Sequence, residues 1–97
     1  MELKIQSINF DATEKLEAFI EKKTQKLVKR NEAISKIEVN MKVLKPETNL
    51  NKEVSVHVFV PGDELHAEKV CDTFEEGVDL CLEALERPLE KYKEKHR

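Results

Sequence analysis

Hydrophobic and polar residues alternate along this chain with a period that changes several times, and each change marks a new element. Leu3 and Ile5 alternate with Lys4 and Gln6, the pattern of a short strand with one buried face. Asp11-Ala12-Thr13-Glu14 then has the chemistry of a helix start. Asp11 or Thr13 can accept from the unpaired N–H groups of a first turn, and acidic residues suit its positive end. Leu16, Phe19, Ile20 and Leu27 follow at helical spacing, which predicts a helix over 13–30 with Asn31 as its stop.

Strict alternation comes next. Ile37, Val39, Met41 and Val43 share one face of a predicted second strand, and Lys36, Glu38, Asn40 and Lys42 share the other. A polar loop, Lys45-Pro46-Glu47-Thr48-Asn49, leads to a third strand in which Val54, Val56, Val58 and Val60 alternate with Ser55, His57 and Phe59. Period-2 placement of β-branched residues is the clearest secondary-structure signal in the chain. Pro61-Gly62 supplies a turn, Pro presetting φ at its second position and Gly accepting positive φ at its third. A fourth strand, roughly 64–70, pairs back as a hairpin. Phe74, Val78, Cys81, Leu82, Leu85, Leu89 and Tyr92 then mark a long amphipathic helix, with Pro88 placed to kink it or end it early.

The predicted order is β-α-β-β-β-α. A sheet with one valine-rich face needs a cover, and two amphipathic helices supply it, so the expected fold is α+β with both helices on one face of a four-stranded sheet. No repeat, linker or low-complexity segment interrupts the 97 residues, which read as a single domain, 1–97.

Charge sharpens the picture. The chain carries 20 acidic and 17 basic residues, a formal net charge of −3, which weighs against nucleic acid unless the bases segregate. On a helical wheel they do. Lys15, Lys22, Lys26 and Lys29 fall within roughly 60° of one another, apart from the arc of Glu14, Glu17 and Glu21. In the last helix Arg87, Lys91 and Lys95 form a stripe at i, i+4 and i+8, beside Glu76, Asp79, Glu83, Glu86 and Glu90. If both helices cover one face of the sheet, the two basic stripes are expected to meet across the groove between them as a cationic strip suited to phosphate backbones. A charge stripe alone is most often a solvated face, so this reading needs support from elsewhere.

Catalytic signatures are absent from the sequence. Gly62 and Gly77 are the only glycines, leaving no phosphate-cradling loop, and no serine or cysteine nucleophile motif occurs. His57 and His66 are expected to be neighbours across the hairpin, and with Cys71 they contain metal-ligand types, but no ligand spacing accompanies them. No metal, cofactor or small-molecule substrate is expected. Cys81 falls among the core positions, Cys71 sits at a junction where partial exposure is expected, and Phe59 has the parity of the open sheet face. Without a signal peptide or a long apolar run, the chain reads as a cytoplasmic protein with reduced thiols and no membrane partner.

Three stretches together resemble one known family. Asp72-Thr73-Phe74-Glu75-Glu76, then Val78-Asp79-Leu80, then Leu85-Glu86-Arg87-Pro88-Leu89-Glu90-Lys91 is similar to the last helix of ribosome hibernation-promoting factors, also called ribosome-associated translation inhibitors. Leu65-His66-Ala67 after Gly62, and the entry from Ile5 through Thr13 into the lysine-rich first helix, match the same family. The resemblance implies a fold like that of double-stranded RNA-binding domains. It also implies binding to the small ribosomal subunit, on 16S-type rRNA in the channel for messenger and transfer RNA, with translation inhibited and idle ribosomes stabilised under stress or in stationary phase. Residue by residue it assigns rRNA contacts to Lys22, Lys26 and Lys29 in the first helix and to Arg87 and Lys91 in the last, a stripe that Lys95 extends. The chain resembles the short form of the family. It departs from the usual pattern at Ala84, where a lysine is common, at Ser7-Ile8-Asn9, where a basic residue is missing, and at Pro88.

Two other function classes remain in view. A protein–protein adaptor would use the open sheet face around Phe59 and His57. A small metalloenzyme or thiol enzyme would need bound metal or a reactive Cys71.

Overall fold

The computed structural model describes residues 1–45 and 50–96. Six elements follow in the order β1 (Glu2–Ile8), α1 (Glu14–Arg30), β2 (Lys36–Val43), β3 (Lys52–Val60), β4 (Asp63–Cys71) and α2 (Phe74–Lys95). This is the expected β-α-β-β-β-α succession. Of the expected loop from Lys45 to Asn49, residues 46–49 lie outside the described residues.

One sheet holds the strands in sequence order, β1-β2-β3-β4. The β1–β2 pair is parallel, with Leu3 beside Ile37 and Ile5 beside Val39, and α1 forms the crossover that a parallel pair requires. The other two pairs are antiparallel, with Val56 between Val39 and Ala67. That register sets Leu3, Ile37, Val58 and Leu65 in one row and Ile5, Val39, Val56 and Ala67 in the next. A single face of the sheet is therefore apolar, as the pleat demands of half-buried strands.

Both helices lie on that face. Leu16, Ile20 and Leu27 of α1 and Phe74, Val78, Cys81, Leu85, Leu89 and Tyr92 of α2 join Ile37, Val39, Met41, Val54, Val56 and Val58 in one core cluster. Full burial of side chains such as Ile20, Ile37, Met41 and Leu85 contributes about 1.5–3 kcal/mol apiece. No buried side-chain nitrogen or oxygen lacks a hydrogen-bond partner among the described residues.

Local chemistry fixes the helix ends. Thr13, one of the two expected caps, accepts from Leu16 N at 3.1 Å, and Thr73 accepts from Glu76 N at 3.2 Å. Asn31 ends α1, its amide Nδ2 donating to Leu27 O at 2.9 Å. The tip of the β3–β4 hairpin is Pro61-Gly62, with Gly62 at φ 78°, the left-handed conformation the turn needs.

Of the two effects expected of Pro88, an early helix end does not occur. The helix neither ends nor stops short there but runs on to Lys95. Leu89 and Tyr92, beyond the proline, are 1% and 7% exposed, and Tyr92 donates its hydroxyl to Pro61 O at 2.8 Å. The buried side chains and this anchor hold the last turns although Pro88 supplies no N–H.

Candidate nucleic-acid interface

The basic residues divide between two surfaces rather than forming one strip. Lys22, Lys26 and Lys29 are exposed along α1, and Arg87, Lys91 and Lys95 are exposed along α2. The groove between the helices is floored by Leu27 and Leu82. Lys23, Lys26 and Arg30 line its α1 wall, whereas Asp79, Glu83 and Glu86 line its α2 wall. Of the six expected contact residues, only Lys26 borders this groove.

The expectation that the two stripes meet across the groove is therefore corrected. On the wheel, Arg87, Lys91 and Lys95 stand roughly 70°, 110° and 150° from the mid-line of the acidic wall. They occupy the flank of α2 turned away from α1. A wheel fixes angles about one helix axis, whereas which flank meets a neighbour depends on how the helices are seated. That seating puts the acidic arc of α2 inward.

Sequence reasoning also missed two groove cations. Lys23 bridges to Asp79 at 3.2 Å, and its ammonium lies 5.4 Å from the centre of the Phe19 ring. Arg30 borders the groove further along. Their nearness to Leu27 on the buried arc was the available signal. An exposed pair such as Lys23–Asp79 contributes little to stability, about 0–1 kcal/mol, but it neutralises one lysine of the basic wall.

Opposite the helices, the sheet face is open. Its rows are Glu2-Lys36-Phe59-Glu64, Lys4-Glu38-His57-His66, Gln6-Asn40-Ser55-Glu68 and Ile8-Lys42-Glu53-Val70. His57 and His66 are direct neighbours, as expected, with ring centroids 4.4 Å apart, and His57 Nδ1 lies 2.8 Å from Glu64 Oε1. Phe59 is half buried, with the Lys36 ammonium 5.6 Å from its ring centre. Lys36 pairs with Glu38 at 3.0 Å, and the hydrogen bond between them raises the lysine pKa and lowers that of the carboxyl. This face mixes both charges and offers no continuous basic surface.

No group of three or more His, Cys, Asp or Glu side chains among the described residues is arranged to hold a metal ion. Cys71 is buried rather than partly exposed, at 4%. Burial raises its pKa and pushes that of Cys81 up to about 11, the reverse of what a nucleophilic thiol needs. No helix among the described residues is long and apolar enough to cross a membrane.

Comparison with known proteins points one way. The model of a family described as "Sigma 54 modulation protein / S30EA ribosomal protein" matches residues 3–97. A "Ribosome hibernation promotion factor" from Picosynechococcus sp. (strain ATCC 27264 / PCC 7002 / PR-6) is 29% identical over 98 residues, which cover 99% of this chain and 51% of the relative. The chain thus spans about half the length of that relative. A ribosomal subunit interface protein from Coxiella burnetii superposes with a TM-score of 0.84 at 29% identity, over 96% of this chain and 98% of the other. The N-terminal domain of Thermus thermophilus Protein Y shares the fold, with a TM-score of 0.78 at 17% identity over 95% and 99% of the two chains.

Proposed function

The chain belongs to the Sigma 54 modulation protein / S30EA ribosomal protein family, and on that premise we propose that it binds the small ribosomal subunit in the channel for messenger and transfer RNA. Binding there inhibits translation and stabilises idle ribosomes under stress or in stationary phase. The observation that carries this reading is the basic outer face of α1. Lys22, Lys26 and Lys29 project from one rigid helix of an otherwise acidic protein, with Arg30 beside them.

A phosphate backbone lies along α1 and takes its charge contacts there. The acidic wall of Asp79, Glu83 and Glu86 repels that backbone from the groove floor. Arg87, Lys91 and Lys95, on the far flank of α2, therefore meet a different stretch of backbone. Two cationic strips separated by an acidic ridge suit a cleft with RNA on two sides better than one isolated duplex.

Co-sedimentation with ribosomal subunits on sucrose gradients, at low and moderate salt, tests the reading. Wild type is expected to travel with the small subunit and to fall off steeply with salt, each neutralised phosphate adding about 0.7–0.9 to the log–log slope. The double variant Lys26→Glu, Arg87→Glu should fold and stay at the top. Wild type remaining at the top even at low salt would refute the proposal.

One observation favours a second reading. The helix-free sheet face carries a His57–His66 pair, its rings tilted by 37°, next to Phe59, a patch with apolar and polar parts fit for a protein partner. Under that adaptor reading Phe59→Ala abolishes complex formation and the Lys26 and Arg87 changes leave it intact.

A further inference from the structure

Between the end of α1, the tip of β3 and the last turns of α2 lies a cavity of about 290 Å3 that the charge strips do not explain. Its floor is apolar: Val60, Leu89 and Tyr92 are 6%, 1% and 7% exposed. Its rim is cationic, with Lys29, Arg30 and Lys93 around the opening. The Lys93 ammonium donates to Arg30 O, which places a positive charge against the negative end of α1 and removes an obstacle to an anion there. Asn31, Glu32 and Ala33 complete the lining, and the backbone N–H groups of Glu32 and Ala33 donate to no acceptor among the described residues.

Each of these parts restricts the occupant. A bare phosphate would gain nothing from the apolar floor, and a purely apolar ligand would gain nothing from three cations. Small-ligand sites start near about 300 Å3, so the space suits one flat ring system rather than an extended molecule. A planar group carrying a phosphate satisfies both halves. Sequence-specific RNA binding commonly takes this form, with an unstacked base in a pocket and its backbone on adjoining cations.

We propose that this cavity receives a single unpaired nucleotide. The base lies against Val60, Leu89 and Tyr92, and the phosphate sits among Lys29, Arg30 and Lys93. The Glu32 carboxylate, an acceptor only, takes an N–H of the base edge. The inference rests on the ribosomal reading for the source of that nucleotide, since Lys29 belongs to both the α1 strip and the cavity rim. It adds a base-reading element to a surface otherwise limited to backbone contacts.

The experiment is an NMR titration of the whole chain with guanosine monophosphate, then with a short single-stranded RNA. Variants Ala33→Trp, which fills the cavity from an exposed loop position, and Ala33→Glu, which makes its rim acidic, serve as controls. Both ligands should shift the methyl signals of Val60 and Leu89, and each variant should weaken that binding at least tenfold while keeping the wild-type circular dichroism. On ribosomes, Ala33→Trp should still sediment with the small subunit, several-fold more weakly than wild type. Absence of methyl shifts, or shifts unaffected by both variants, overturns the cavity proposal. If the mononucleotide binds but single-stranded RNA does not compete, RNA as the source is overturned. Sedimentation keeps the two readings apart: a wild type that binds ribosomes without methyl shifts refutes the cavity alone, and a wild type that shifts but never sediments refutes the ribosomal source.

Discussion

Gly77 and Val54 meet so closely that the place of a Cβ on Gly77 is already occupied: it would stand 2.6 Å from Val54 Cγ2 and 3.1 Å from Val54 Cβ. This is how α2 sits low on β3. Alanine is normally better than glycine in a helix interior by about 1 kcal/mol, whereas overpacking a core costs about 1–3 kcal/mol. Val54 is fully buried and β-branched, so it cannot swing aside. Gly77→Ala should therefore lower stability, by about 1 kcal/mol net, read as a reduced urea midpoint with an unchanged slope.

Under the ribosomal proposal, the acidic wall of the groove weakens the proposed RNA-binding surface. Replacing Glu83 and Glu86 by lysine would give the groove two basic walls. The variant should hold ribosomal subunits more tightly at moderate salt and show a steeper salt dependence, because more phosphates can be neutralised. Gradients over a range of salt concentrations measure both. Unchanged or weaker binding would show that RNA does not approach from the helix side.

Glu53 and Glu68, diagonal neighbours on the open sheet face, share a hydrogen bond that raises the Glu53 pKa, with burial and the Glu68 charge acting in the same direction. The folded state thus holds this proton more tightly than the unfolded chain does. The contribution to stability is complete below the ordinary carboxylate range and is lost as pH rises through the elevated folded value. Denaturant midpoints at about pH 4 and about pH 7 check this, since carboxylates ordinarily titrate near 4. Glu68→Gln removes the like charge, and its midpoint should fall less than that of wild type between the two pH values.

Cys71 and Cys81 are buried free thiols with raised pKa values, about 11 for Cys81. Thiolate is the reactive species, so both should react slowly with a disulfide reagent near about pH 8 and rapidly once the chain is unfolded. Fast native labelling of Cys71 would mean that the structure around it opens readily.

The strands were legible because a pleated sheet buries every second residue, and Val54, Val56, Val58 and Val60 state that rule without ambiguity. The ends of α1 were legible for an equally local reason, the hydrogen bonds made by Thr13 and Asn31. The site was harder to read. Lys22, Lys26 and Lys29 do share an exposed arc, but the relation of that arc to Arg87, Lys91 and Lys95 depends on helix seating, which no single-helix pattern contains. The continuation of α2 past Pro88 was hidden for the same reason: the local cost of the proline is visible in the sequence, while the burial of Leu89 and the Tyr92–Pro61 hydrogen bond that offset it are tertiary.

The parallel pairing of β1 with β2 bears on how the chain assembles. β2, β3 and β4 join through sequence neighbours, one of the connections being the two-residue hairpin at Pro61-Gly62. β1 reaches its place only after the chain has closed across the whole of α1, and it then pairs on one edge alone. Loop closure of this kind is slow and entropically costly. The first strand is thus the natural last arrival in folding and the first to detach. Amide exchange should be faster along Leu3–Ser7 than along Val54–Val58, and a ribosome that grips α1 would protect β1 as well, because the helix can hold its place only while the strand before it does.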